Sequence, residues 1–156
     1  MKKILLVAML AAIAAPAIAQ KVDTDVARGR YIAIIGGCND CHTAGYPQKD
    51  GQVPEGEWLL GNAVGFRGPW GTSYPTNLRI TLSRMTEAQW VAYAKKLQAR
   101  PPMPWFNLNR MSEADLRAFY HFVKGLGAPG KPAPDALPPN VEPKTPYIVF
   151  VPKAPG

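Results

Sequence analysis

"GGCNDCHTAG", residues 36–45, decides how the rest of the chain is read. Two cysteines, Cys38 and Cys41, stand two residues apart, and His42 follows directly. The 156-residue chain has only two cysteines and two histidines, so this run takes both cysteines and one histidine. A disulfide, a redox dithiol, half of a zinc site and a haem attachment site can all use this spacing. The surrounding sequence has to choose among them.

The N-terminus sets the compartment. "MKKILLVAMLAAIAAPAIAQ" begins with Lys2 and Lys3, runs through an apolar stretch and ends in the small-residue pattern Ala17-Ile18-Ala19. That is the layout of a secretory signal peptide over residues 1–19, cleaved between Ala19 and Gln20. The alternative is an uncleaved anchor, but the apolar run is short for a span and Pro16 interrupts it. The expected product is periplasmic, with no membrane span after cleavage, and residues 20–156 amount to one domain. The formal charge of +7 stays positive once the two leader lysines are removed. Scattered basic residues on an exported chain argue against nucleic acid and suit an acidic protein surface.

Three helices are legible. The first covers about Asp25 to Gly36, with Val26, Tyr31, Ile32 and Ile35 apolar and Gly29 small enough for another helix to approach closely. The second begins at Thr86, with Gln89 completing a capping box, and is stopped by Pro101 and Pro102. The third begins at Ser112, and its apolar face is Leu116, Phe119, Tyr120, Val123 and Leu126. Between the first two lies a Gly/Pro/aromatic loop from Thr43 to about Asn77, too long for an ordinary connection. Residues 20–126 form the expected domain, and residues 127–156 a Pro-rich extended tail packed on it, in which "YIVFV" can form a short strand. The fold class expected is all-α, with long loops that need an internal scaffold.

That need bears on Cys38-Asn39-Asp40-Cys41-His42. A structural zinc site takes four ligands, and only His121 remains to join these. A thioredoxin-like dithiol belongs in a βαβ setting. A disulfide leaves His42 unexplained. Attachment of one haem c accounts for all three residues: the thiols of Cys38 and Cys41 add to the vinyl groups, and His42 becomes the proximal ligand. The macrocycle also supplies the missing scaffold.

The sixth iron position separates electron transfer from ligand chemistry. His121 falls opposite the apolar face of its helix and reads as a solvated surface residue. Met85 and Met111 each precede a helix cap, where a staple residue packs. Met103, held in "ARPPMPWF" between prolines, is the expected distal ligand, with core packing as its alternative role. Trp70, Tyr74, Asn77 and Arg79, in the loop expected to wrap the haem, are the candidate donors to its propionates; ordinary loop packing is the competing role for each. Lys95, Lys96 and Arg100 can ring an exposed edge and steer an acidic partner, or simply form a solvated helix end.

These segments resemble a class I c-type cytochrome. "GRYIAIIGGCNDCH" is similar to that family's N-terminal helix and haem motif, and "PPMPWFNLNRMSEADLRAFYHFVKGLG" to its methionine loop and C-terminal helix. The resemblance implies that the two terminal helices cross, with Gly29 meeting Tyr120 or Phe119. "GPWGTSYPTNL", "MPWF" and "PPNVEPKTPYIVF" look like the cytochrome subunits of periplasmic alcohol and aldehyde dehydrogenases, although "RITLSRM" stands where many of those have "TPDxxTGIG". Those subunits carry several haem domains, whereas this chain has one motif. The function implied is a one-electron carrier or a non-catalytic electron-transfer subunit serving a dehydrogenase or reductase. A haem enzyme or gas-binding protein with a labile sixth ligand is the alternative.

Overall fold

The computed structural model describes residues 15–155, with side chains from residue 24 onward. In chain order its helices are α1 (Ala15–Ile35), α2 (Cys38–His42), α3 (Leu78–Ser83), α4 (Glu87–Lys96), α5 (Trp105–Arg110) and α6 (Glu113–Gly125). Strands β1 (Gly65–Gly68) and β2 (Gly71–Ser73) precede α3, and β3 (Tyr147–Val149) lies in the tail. Most of the leader expected at residues 1–19 lies outside the described residues. The first helix begins at Ala15, earlier than the apolar periodicity indicates.

Helices α4 and α6 begin where their caps are written. Thr86 accepts from the Gln89 amide while the Gln89 side chain accepts from the Thr86 amide, so two amides that a helix start leaves unpaired are satisfied together. Ser112 accepts from the Asp115 amide in the same way, and Glu113 and Asp115 put negative charge at the positive end of α6. Both helices bury one face, through Trp90, Val91 and Ala94 on α4 and Leu116, Phe119 and Phe122 on α6. Each fully buried aliphatic or aromatic side chain of this kind contributes roughly 1.5–3 kcal/mol.

Helices α1 and α6 pack against each other more extensively than any other pair. Gly29 is buried at their crossing, and a Cβ there would overlap the Ala118 carbonyl and come within 2.7 Å of Phe122 Cβ. The atoms nearest the glycine therefore belong to Ala118 and Phe122 rather than to Tyr120 or Phe119. Positions 118 and 122 are four apart and share a helix face. Tyr120 turns instead to donate its hydroxyl to the Met85 carbonyl, and Phe119 stacks on Trp90 at 5.7 Å.

A wholly helical fold is not what forms, because a three-stranded sheet of order β2-β1-β3 joins the helices. Strands β1 and β2 make an antiparallel hairpin pairing Phe66 with Ser73 and Arg67 with Thr72. Tail strand β3 then adds parallel to β1, pairing Phe66 with Ile148. Upstream of β3, the tail is fastened by an isolated bridge in which Thr72 and Leu137 exchange backbone hydrogen bonds of 3.0 and 2.9 Å. Gly71 permits that approach: its φ is +96°, and any Cβ would strike the Leu137 carbonyl.

The α1–α6 contact yields a prediction. Gly29→Ala adds one methyl group where backbone meets backbone, so neither helix can yield by turning a side chain. Urea unfolding is expected to show a loss of about 1–3 kcal/mol, and an unchanged midpoint would contradict the close crossing.

Candidate functional site

The chain folds the two-cysteine motif by ending α1 and turning at once. Gly37, in the left-handed conformation at φ 67°, lets α2 start two residues after α1 stops. In this single turn Cys38 and Cys41 are three apart and share a face. The opposite side is anchored by Asn39 and Thr43, both fully buried. The Thr43 hydroxyl donates to Asn39 Oδ1 at 2.7 Å and accepts from the Leu59 amide at 2.8 Å. Gly61 donates to the His42 carbonyl at 2.8 Å, drawing the long loop back over the motif.

His42 is buried, and its Nδ1 lies 2.7 Å from the Thr76 carbonyl oxygen. A carbonyl only accepts, so Nδ1 carries the proton and Nε2 keeps its lone pair. Burial depresses the pKa of His42, favouring the neutral ring that a ligand must be. Cys38 and Cys41 are free thiols. Burial pushes the Cys38 pKa up to about 12 and raises that of Cys41, which suppresses the thiolate that disulfide exchange requires. Among the described residues no group of three or more His, Cys, Asp or Glu is placed to hold a metal ion.

Cys38, Cys41 and His42 line a cavity of about 440 Å³, and Met103 lines it too. The volume falls in the range of roughly 300–1,000 Å³ usual for cofactor sites. Leu78, Trp90, Leu97, Leu108 and Phe119 supply apolar walls from α3, α4, α5 and α6. Trp90 is fixed there by donating its indole N–H to the Leu116 carbonyl at 2.8 Å. Ser73 and Arg100 also line the cavity, and the Ser73 hydroxyl is buried with no hydrogen-bond partner among the described residues. The donor set fits a haem c: two thiols, one imidazole held in the ligating tautomer and one thioether within apolar walls.

The other expected residues are placed as follows. Tyr74 lines the cavity, with its hydroxyl 2.9 Å from Thr145 Oγ1 of the tail. Trp70, Asn77 and Arg79 do not line it. Trp70 packs at the hairpin turn against Phe150, 6.2 Å between centroids, and its indole nitrogen is buried without a partner among the described residues. Asn77 caps α3 through Oδ1 and donates to the Pro129 and Lys131 carbonyls. Arg79, 5% exposed, donates to the carbonyls of Trp58, Leu126, Ala128, Glu55 and Gly56, so its guanidinium is solvated by backbone oxygens. His121 is not solvated alone: its Nε2 lies 2.8 Å from Glu87 Oε2, and Glu87 is also paired with Arg117, which foremost holds that carboxyl below its usual range. Lys95 turns back to the Met111 and Asn109 carbonyls. Met85 packs on the core, whereas Met111, read as a staple residue, lines the cavity as well. Helical spacing carries no signal for Met111, which precedes its helix, or for Ser73, which arrives through strand pairing.

The chain is 30% identical over 136 residues to the cytochrome c subunit of quinone-type alcohol dehydrogenase from Gluconacetobacter polyoxogenes, covering 76% of this chain and 27% of that protein. The Komagataeibacter europaeus subunit matches equally, and the fructose dehydrogenase cytochrome subunit of Gluconobacter japonicus is 29% identical over 108 residues, 63% of this chain and 20% of that one. The chain is thus similar to one part of dehydrogenase cytochrome c subunits. It spans about a quarter of the length of these alcohol dehydrogenase subunits. No family model and no solved structure matches it. No described helix is long and apolar enough to cross a membrane.

Arg79 can be tested as a fastening of the cavity's frame. Arg79→Met removes the guanidinium donors to five carbonyls, of which the Glu55 carbonyl keeps the Trp58 amide, and each buried group left unpaired costs roughly 1–3 kcal/mol. Urea unfolding of the variant is expected to lose at least about 3 kcal/mol. A loss no larger than that of an ordinary surface substitution would contradict the role.

Proposed function

We propose that the chain is a periplasmic one-electron carrier or electron-transfer subunit, built on a class I cytochrome c fold. In this reading it holds one haem c through Cys38 and Cys41, with His42 and Met103 as iron ligands. When bound, that group supplies Fe(III)/Fe(II) cycling, and a His/Met pair raises its potential. The observation that carries the reading is the cavity: both thiols, the tautomer-fixed imidazole and the Met103 thioether all line it.

The chain's own residues do the rest. Thr76 holds the His42 ring by its Nδ1 proton, an outer contact that orients a ligand and raises its basicity. Trp90, Phe119 and Leu78 exclude water and lower the local dielectric. Of the four propionate candidates Tyr74 lines the cavity, and Trp70, Asn77 and Arg79 serve as framework around it. The partner proposed is a redox protein with an acidic docking face, a dehydrogenase or reductase. The relatives' description as dehydrogenase subunits supports the first. The leader-like pattern of residues 1–19, two lysines, an apolar run and Ala17-Ile18-Ala19, supports the periplasm. Substrate chemistry belongs to the partner, and this chain is not itself an enzyme.

Carbon monoxide tests the closed sixth position. The reduced wild-type protein is expected to give a c-type spectrum that CO leaves unchanged, and Met103→Ala to bind CO. A wild-type protein that binds CO readily would replace the carrier reading with ligand binding or catalysis at a labile site.

A further inference from the structure

Met103 is carried by the segment that links α4 to α5, and little of that segment is fastened directly. Among the described residues, the hydrogen bond that ties residues 98–108 to chain outside this region is the exposed one from Arg100 Nη1 to the Leu137 carbonyl, 3.1 Å. Met103 bonds within the segment, its amide to the Arg100 carbonyl and its carbonyl to the Trp105 amide. Prolines at 101, 102 and 104 stiffen the path, but stiffness alone does not fix where a loop sits.

The fastening is at the base. Helix α4 ends at Lys96 and α5 at Arg110, and a helix end leaves carbonyls without partners. Asn109, on α5, sends its Nδ2 to the end of α4, donating to the Ala94 carbonyl at 2.7 Å and the Leu97 carbonyl at 3.2 Å. Lys95, on α4, sends its Nζ to the end of α5, donating to the Asn109 carbonyl at 3.3 Å and to the Met111 carbonyl. Each helix thus supplies the donors for the other's last carbonyls. Both side chains are half-buried, which shields these bonds from water. Leu97, Leu108 and Met111, at or beside the bonds, line the cavity with Met103. The chain from Leu97 to Asn109 is therefore a closed loop, with Met103 midway along it.

We propose that Lys95 and Asn109 are positioning residues, a reciprocal clamp that holds the Met103 loop shut over the sixth iron position. The proposal rests on the haem c reading above, with His42 and Met103 as ligands. It gives Lys95 a role within the fold in place of steering a partner across solvent. A loop joined at its base has little freedom left to lose when the thioether binds. With the clamp cut, the loop spends more time open, and an outside ligand gains the iron in proportion to that open fraction.

The test is cyanide binding to the purified ferric holoprotein, with Asn109→Ala and Lys95→Met cutting the clamp from its two sides. Each variant is expected to bind cyanide at least about fivefold more tightly than the wild type, in line with the loss of two hydrogen bonds. Lys95→Arg, which keeps donors within reach, should restore most of the wild-type resistance. In a Met103→Ala background the sixth position is already open, so Asn109→Ala should change the affinity no further. Amide hydrogen exchange should quicken at residues 97–108 in both clamp variants, while the crossing of α1 and α6 keeps its protection.

Unchanged cyanide affinity in both Asn109→Ala and Lys95→Met would overturn the clamp. An equal gain in the wild-type and Met103→Ala backgrounds would do so too, since it marks a loosened cavity entrance rather than a released ligand. Where one variant fails to fold, the other cuts the same pair of helix ends and decides the question. A wild-type protein that binds cyanide as readily as Met103→Ala would overturn the Met103 ligation first and this proposal with it.

Discussion

Gly29 lies directly against the Ala118 carbonyl, and the rest of the structure is arranged around that contact of α1 with α6. Because no side chain separates the two backbones, the helices cross close, and their apolar faces seal one core through Ile32, Leu116 and Phe122. The end of α1 is fixed in place as a result. Gly37 turns the chain there, and α2 presents Cys38, Cys41 and His42 to the cavity that Phe119 of α6 also lines. The helix crossing therefore sets the motif against its cavity without any loop having to do so.

The second constraint is the supply of partners for the backbone. A long loop and a proline-rich tail contribute many carbonyls and few helical hydrogen bonds, and buried carbonyls need donors. Arg79 and Asn77 provide them, reaching from α3 and its cap to the Glu55–Trp58 segment and the start of the tail. Arg67 does the same further on, donating to the Val141 carbonyl and pairing with Glu142 at 2.8 Å. The charged side chains Arg67 and Arg79 thus brace the frame.

The parts of the molecule that follow local rules were legible in the sequence. Thr86 with Gln89 and Ser112 with Asp115 begin helices where expected, because a cap is decided by residues three apart. The Cys-x-x-Cys-His spacing was equally readable, since one helical turn is enough to align it. Features that depend on distant pairing were not. Gly65–Gly68 and Gly71–Ser73 are glycine-bounded and short, and become strands only because Tyr147–Val149 joins them from the far end of the chain. Asn77 and Arg79 look like ligand donors until the tail carbonyls that occupy them are in place. Phe122 meets Gly29 although Tyr120 and Phe119 lie in the same apolar run, because a crossing angle selects one pair of positions four apart.

The central claim is that Cys38 and Cys41 hold one haem covalently, and the most direct measurement is the mass of the denatured polypeptide. The account predicts that protein matured in a cytochrome c-competent host carries the added mass of one haem after acid denaturation and organic extraction. It predicts that Cys38→Ala with Cys41→Ala loses that mass entirely. A wild-type polypeptide of unmodified mass, or one whose haem is removed by extraction, would contradict it.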